Sequence, residues 1–393
     1  MGSRELSGNY AVTRKHFYYF LAIVGFHGFL MRIVGYFLPL YFEELGYSGV
    51  QFGLYFMFAS LSTIILSLPM GISTDKKPIA YILMFSFLLV ALSKLGFIIS
   101  KSLLIFCIFS FIGSFGGRFV AVAKESMFFK ISKKESPIHA GQYQLANFIF
   151  MGIGMIAGGY IIAKFSFWHA FVISAFGSLL LAIFSYFVPR TETMAIKLED
   201  YKIALFKPQV IFLIFIFFLS SFHWGAEIVA YPKFLKHNLG LSIQGIGWYT
   251  GLGYLFVGLG AYLGVILVQK KLIKDLQILL IIGFFVAGVF HILMCVNNVY
   301  LSFLFRLIHE VGDGFVFLAF YYGIPRIFHV RTIGGCAAFI SLCVGIGSFL
   351  SAILFGYIGD HYGNQWPLII SGVVLVIIPF LIYLRQKVVG DII

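Results

Sequence analysis

The sequence predicts an all-α integral membrane protein with 12 transmembrane helices arranged as two pseudo-symmetric six-helix bundles. Three observations predict it: a composition that no water-soluble fold can hide, apolar runs of membrane length recurring along the chain, and a weak likeness between its halves. Of 393 residues, 61% are hydrophobic and 11% charged, where an average soluble domain is charged at about 25% of its positions. Lipid must be the solvent for most of such a chain, and a soluble globular class is excluded.

The runs fall near residues 17–42, 50–70, 79–99, 103–128, 139–162, 167–188, 209–231, 244–268, 276–295, 299–323, 332–357 and 365–384. Each is close to the roughly 20 residues that a helix needs to cross a bilayer. The polar lead before the first run is too long for a cleaved signal peptide, and that run is long enough to span. Cys107, Cys295, Cys336 and Cys343 all sit inside apolar runs without metal-ligand or redox spacing, and read as small core residues.

The net charge of +13 could suggest nucleic acid, but its distribution points to a bilayer. With the N-terminus inside, 19 Lys and Arg fall on the cytoplasmic side: Arg4, Arg14, Lys15, Lys76, Lys77, Lys130, Lys133, Lys134, Arg190, Lys197, Lys202, Lys207, Lys270, Lys271, Lys274, Arg326, Arg331, Arg385 and Lys387. Lys101, Lys164, Lys233 and Lys236 lie outside. This excess places both termini in the cytoplasm of a plasma (inner) membrane.

The longest polar stretch, residues 189–208, separates a bundle over 1–188 from one over 209–393 and reads as a cytoplasmic linker. Arg32-Ile-Val-Gly-Tyr36 leading to Leu45-Gly46-Tyr-Ser48 is matched by Glu227-Ile-Val-Ala-Tyr231 leading to Leu239-Gly240-Leu-Ser242. Gly116-Gly117-Arg118-Phe119-Val120 aligns with Gly312-Asp313-Gly314-Phe315-Val316, and Gly159-Tyr-Ile with Gly356-Tyr-Ile. Two such repeats would put a substrate site at the midplane between them.

Several segments resemble motifs of the major facilitator superfamily. The turn Gly71-Ile-Ser-Thr-Asp75-Lys76-Lys77 is similar to the first half of that family's loop motif, with Pro78 where a second glycine is usual. Gly141, Gly154, Gly158 and Gly159 fall at the spacings of its antiporter motif, although Phe150 and Met155 replace a glycine and the proline. Phe167-Trp168-His169-Ala170-Phe171 looks like the family's usual start of span six. The resemblance implies a secondary transporter working by alternating access. It assigns gating or structural roles to Gly71, Asp75, Lys76, Gly141, Gly154, Gly158 and Gly159. With or without the family, small-xxx-small spacing such as Gly154 and Gly158 lets two helices approach closely.

An unpaired charge at bilayer depth costs at least about 2.5–3.5 kcal/mol, so intramembrane charges are functional candidates. They are Arg32, Lys94, Arg118, Lys124 and Glu125 in the first half, and Glu227, Arg306, His309, Glu310 and Asp313 in the second. The repeat sets Arg32 opposite Glu227 across the expected cavity, so the two should pair in at least one state. That pair would be either a contact that substrate competes for or a static bridge between the halves. On span ten, Arg306 and Glu310 are i,i+4 neighbours, as are His309 and Asp313. With Glu227 they form the expected proton-coupling group, and the idea resembles proton-coupled sugar symporters that carry a His and a Glu on that span. Arg118 suits an anionic substrate group. Tyr36, Tyr143, Gln144, Asn147, His223, Trp224 and Tyr321 complete the expected cavity wall with Arg32 and Glu227.

An enzyme is not expected. His309-Glu310-Val-Gly-Asp313 has aspartate where a zinc-protease helix carries its second histidine, and neither a nucleophile elbow nor a phosphate-binding loop occurs. A non-transporting sensor would lack an appended domain to signal through. The expected partners are a small organic solute, protons as coupling ion and the bilayer, without nucleic acid, cofactor or metal, and the expected state is a monomer. The antiporter-like span five favours export while span ten favours uptake, so direction stays open.

Overall fold

The computed structural model describes residues 14–131, 137–188, 198–273, 275–329 and 332–389. Arg4, Lys133, Lys134, Arg190, Lys197, Lys274 and Arg331, which the orientation count uses, lie outside the described residues, as do the linker over 189–197 and the side chains of Arg14, Asp75, Lys130 and Lys387. In chain order the helices are α1 (Arg14–Gly35), α2 (Leu38–Glu44), α3 (Gly49–Lys76), α4 (Ile79–Ile99), α5 (Leu103–Ile131), α6 (Pro137–Lys164), α7 (Phe167–Ser185), α8 (Leu198–Leu205), α9 (Pro208–Lys233), α10 (Ile243–Gln269), α11 (Leu276–Leu293), α12 (Val299–Ile327), α13 (Ile333–Tyr362) and α14 (Gln365–Val389).

Ten segments among the described residues are long and apolar enough to cross a membrane, and the chain is a multi-pass membrane protein. α3 and α12 are as long, at 28 and 29 residues. α12 stands apart because Arg306, Glu310 and Asp313 interrupt its apolar run. Large apolar side chains such as Phe176, Ile183, Phe187, Leu354 and Phe380 are exposed on the outside of the helices, where lipid takes the place of water.

The first span is broken where the sequence reads as continuous. Pro39 lacks an N–H and its ring would strike the carbonyl of Gly35, so α1 stops at Gly35 and α2 restarts around the proline. Pro232 has a similar effect at the outer end of α9, where the chain continues as a π-helical turn over Phe234–Asn238. The expected linker is partly structured as well. Glu199 and Asp200 in the first turn and Lys202 in the last suit the helix dipole of α8, and Tyr201 and Leu205 are buried.

In the first half α1 packs on α6 and α7, α5 on α3 and α4, and α4 on α7. In the second, α9 packs on α13 and α14, α12 on α10 and α11, and α11 on α14. Counted by span, these are the same pairings in each half. The halves meet chiefly through α6 against α10 and α3 against α13. α6 can touch neighbours on two faces because glycine lines both. A Cβ at Gly154 or Gly158 would strike the backbone of Phe29 or Ile33 on α1, while one at Gly159 would lie 3.0 Å from the Ile243 carbonyl and 3.1 Å from Gly247. Gly141 meets Val265 of α10, and Gly71 fits against Gly334, Gly335 and Ala338 of α13.

Candidate functional site

The strongest concentration of buried polar chemistry lies inside the second half, between α9, α11 and α12. α12 can approach both neighbours because Gly312 lies against the backbone of Gly283 and Ala287 on α11, and Gly314 against that of α10 at Val257, Gly260 and Ala261. This brings the titratable wall of α12 into contact with them. Arg306 reaches Glu227 of α9 with both guanidinium nitrogens, the second at 3.3 Å, and Glu310 of its own helix at 2.5 Å. Tyr231 lies under the guanidinium at 4.6 Å from its ring centre. One buried cation thus serves two carboxylates.

Three histidines surround the other side. His223 Nε2 is 3.3 Å from Asp313 Oδ2, and His309 Nε2 lies 3.8 Å from the same oxygen and 3.6 Å from Glu227 Oε1. His291 Nδ1 stands 3.7 Å from Glu227 Oε1. By ligand chemistry, His223 with His309 and Asp313, or Glu227 with His291 and His309, could hold a metal ion, since the ligand atoms of each group lie within 4.8 Å of one another.

The spacing expected on span ten holds, because Arg306 meets Glu310 and His309 meets Asp313 one turn apart. The partner of Glu227 in this conformation is Arg306 rather than Arg32. Arg32 instead lies 4.8 Å from the ring centre of Tyr254 on α10, with its Nε buried and unpaired among the described residues. Tyr36 stands at the end of α1 close to Arg32, Glu227 and Arg306, its hydroxyl also buried and unpaired. Trp224 stacks on Phe317 at 5.8 Å. Gln144 is buried in α6, and Asn147 packs against α1 at Gly28.

A second polar group joins the halves towards the C-terminal ends of α5 and α12. Glu125 of α5 accepts hydrogen bonds from Tyr321 of α12 at 3.1 Å and Ser341 of α13 at 3.4 Å, and Arg118 lies within its electrostatic reach. The Tyr143 and Tyr321 rings are 5.1 Å apart across the same junction. A third group joins the halves at the C-terminal ends of α2 and α9. Glu43 of α2 accepts from Lys236 at 2.9 Å and lies 3.3 Å from His237, while Lys233 bonds Asp360 at 3.3 Å. Glu43, Lys233, His237 and Asp360 line a cleft of about 270 Å³ with Phe42, Tyr47 and Phe52.

Reading the sequence missed Glu43, Lys236, His237 and Asp360, which look like ordinary solvated loop charges until the halves are assembled. It missed His291 too, although one histidine in an otherwise apolar span was a usable signal. In the sequence Glu125 stands out only as the one acid among the intramembrane charges of the first half.

An all-helical chain with ten apolar helices of membrane length among its described residues, packed around buried charge, has the fold of a membrane transporter family. The model of the Major Facilitator Superfamily matches residues 20–231 and 213–390, and the chain belongs to that family. It is 23% identical over 372 residues to the uncharacterized MFS-type transporter MJ1560 of Methanocaldococcus jannaschii, covering 90% of this chain and 94% of that one. The crystal structure of the human organic anion transporter MFSD10 (TETRAN) shares the fold, with a TM-score of 0.71 at 14% identity over 93% of this chain and 99% of that one.

Proposed function

We propose that the protein is a secondary active transporter that moves a small organic solute bearing an anionic group, with protons as the coupling ion. The moving bodies are two six-helix bundles, 1–188 and 209–393, joined by a cytoplasmic linker over 189–208; twelve spans would leave both termini on one side of the plasma membrane, and the excess of Lys and Arg assigns that side to the cytoplasm. One observation carries this reading: two separate polar layers bridge the halves, Glu43 with Lys236 outside and Glu125 with Tyr321 and Ser341 inside, on either side of the buried charges. Breaking the layers in turn is what alternating access requires.

The anionic group is assigned from Arg32, whose guanidinium is held on Tyr254 beside the Tyr36 hydroxyl and keeps donor capacity to spare. Arg118, Gln144, Asn147, Trp224 and Tyr321 are proposed to complete the substrate wall, and the glycines of α6 the sliding surface. The proton-coupling role goes to the Arg306 centre, where one guanidinium faces two carboxylates.

The test begins with a thermal-shift screen of organic acids, phosphorylated solutes, sugars, amino acids and cationic drugs, since a ligand of the folded state raises its stability by mass action. The best binder is then followed in proteoliposomes under an imposed pH gradient, with both vesicle orientations resolved to read the direction. Arg32→Ala is expected to lose binding of an anionic solute. If the screen returns only neutral or cationic ligands that Arg32→Ala still binds, the anion assignment fails; gradient-independent accumulation would remove the coupling.

A further inference from the structure

We propose that His223, His309 and Asp313, backed by His291 and Glu227, form a binding site for a divalent transition metal ion of the Zn²⁺ or Co²⁺ kind. A neutral imidazole has one donor and one acceptor nitrogen. His223 Nδ1 faces the Ser220 carbonyl, and His309 Nδ1 faces the Ala287 carbonyl at 2.8 Å. A carbonyl only accepts, so both rings carry their proton on Nδ1. His291 Nε2 faces the Ser371 hydroxyl at 3.2 Å, and that hydroxyl gives its own proton to the Leu368 carbonyl at 3.0 Å. His291 therefore donates through Nε2 and keeps its lone pair on Nδ1.

Three lone pairs consequently turn inward, and what they meet is Asp313 Oδ2 and Glu227 Oε1, which are acceptors as well. His291 Nδ1 and His309 Nε2 are buried without a hydrogen-bond partner among the described residues. Glu227 Oε1 already accepts from the Arg306 guanidinium; the three nitrogens and Asp313 Oδ2 remain, four acceptor atoms that repel one another in a buried site unless a cation lies between them. One proton satisfies one ring and leaves the other lone pairs facing acceptors. Charging all three rings would add three positive charges beside the Arg306 guanidinium. A single divalent ion satisfies the set at once.

Distance and chemistry fit such an ion. Bonds of about 2.0–2.1 Å in tetrahedral geometry put ligand atoms roughly 3.3–3.4 Å apart, and the His223 and His309 nitrogens stand 3.3 and 3.8 Å from Asp313 Oδ2. Imidazole with carboxylate suits borderline first-row metals, not Ca²⁺ or Mg²⁺. The ring protons given to backbone carbonyls and to Ser371 are the outer-shell support that fixes a metal-binding imidazole. The histidine side chains are at most 2% exposed, Asp313 and Glu227 10% and 13%, so the carboxylates form the mouth. Glu310 turns the other way, toward Gly253 of α10, and is not a ligand. Three helices supply the set, which is why no ligand spacing appears in the sequence.

The inference deepens the proposed function by naming a second ion for the same centre; it depends on that reading for the ion's passage, not for its binding. The test uses the purified full-length chain stripped with chelator and titrated with Zn²⁺ or Co²⁺ alone, by calorimetry and by the visible spectrum of bound Co²⁺. One ion per chain with the bands of a four- or five-coordinate Co²⁺ site is expected. His223→Gln and His309→Gln should lose it, and Ser371→Ala, which removes no ligand, should weaken it roughly 10- to 100-fold. His361→Gln, on the exposed outer end of α13, should keep it. The proposal is overturned if the wild-type chain takes up no stoichiometric ion, or if folded His223→Gln and His309→Gln chains keep the spectrum while His361→Gln loses it. Should those two variants fail to fold, the wild-type spectrum and Ser371→Ala decide. Solute flux without metal binding sinks this proposal alone, and metal binding without flux in vesicles sinks only the transport reading.

Discussion

Glu43 on α2 accepts a hydrogen bond from Lys236 at 2.9 Å, and through that bond the C-terminal end of α2 is held to the turn that follows α9. Both side chains are more than a third exposed, so screening keeps the contact to about 0.2–1 kcal/mol. Glu43→Gln should therefore shift the population open at the outer face by a factor of roughly 1.5 to 5. Faster thiol labelling of a cysteine placed at Phe52, which lines the cleft, would report it. The difference from wild type should shrink at high salt; unchanged labelling at low salt would deny the bond any part in closure.

Tyr321→Phe removes one donor to Glu125 and leaves the ring packing beside Tyr143. A hydrogen bond to a charged acceptor is worth about 1.5–3 kcal/mol, and this one is partly buried. Lower thermal stability is expected together with freer access at the inner face. Ser341→Ala should act in the same direction with a smaller effect, because its contact is longer at 3.4 Å.

Arg306→Met should be far more damaging, because it leaves Glu227 and Glu310 buried without their cation, at a cost of about 3–5 kcal/mol. The triple change Arg306→Met, Glu227→Gln and Glu310→Gln removes the charges together and should recover most of the folded yield in detergent while remaining unable to transport. Recovery of uphill transport by the triple variant would falsify the coupling role of this centre.

Gly159 and Gly356 occupy matching places in the two Gly-Tyr-Ile segments, yet only one is crowded. Alanine at Gly159 must displace the Ile243 carbonyl or Gly247, a strain of about 1–3 kcal/mol. At Gly356, inside α13, a Cβ meets nothing within 4 Å, and Gly356→Ala should stabilise the chain by up to about 1 kcal/mol through helix propensity. Thermal unfolding of the two variants side by side checks this.

That contrast also shows where the sequence could be read and where it could not. Helices declare themselves through apolar length, which is why ten of the twelve expected spans stand among the described residues as apolar helices of membrane length, the first of them divided at Pro39 by one residue's missing donor. The i,i+4 contacts of α12 were legible because spacing along one helix is fixed by its own geometry. Contacts between helices were not. Arg32 and Glu227 align by repeat, but Arg306 lies in the same half as Glu227 and takes its carboxylate. Likewise His223, His291 and His309 are 68 and 18 residues apart in successive steps, and only the packing of α9, α11 and α12 brings them together.

The burial of Arg306, Glu310 and Asp313 within the second half bears on how the chain is made. Each such residue opposes insertion of a lone segment by about 2.5–3.5 kcal/mol, so α12 should not leave the translocon for lipid by itself. Glu227 is synthesised well before it on α9 and can offer the guanidinium a counter-ion while the ribosome is still extending the chain. Biogenesis is then ordered by charge: α9 should linger near the translocon until α12 arrives. Glu227→Leu should show its first defect as failed membrane integration of α12, visible by glycosylation mapping of nascent chains.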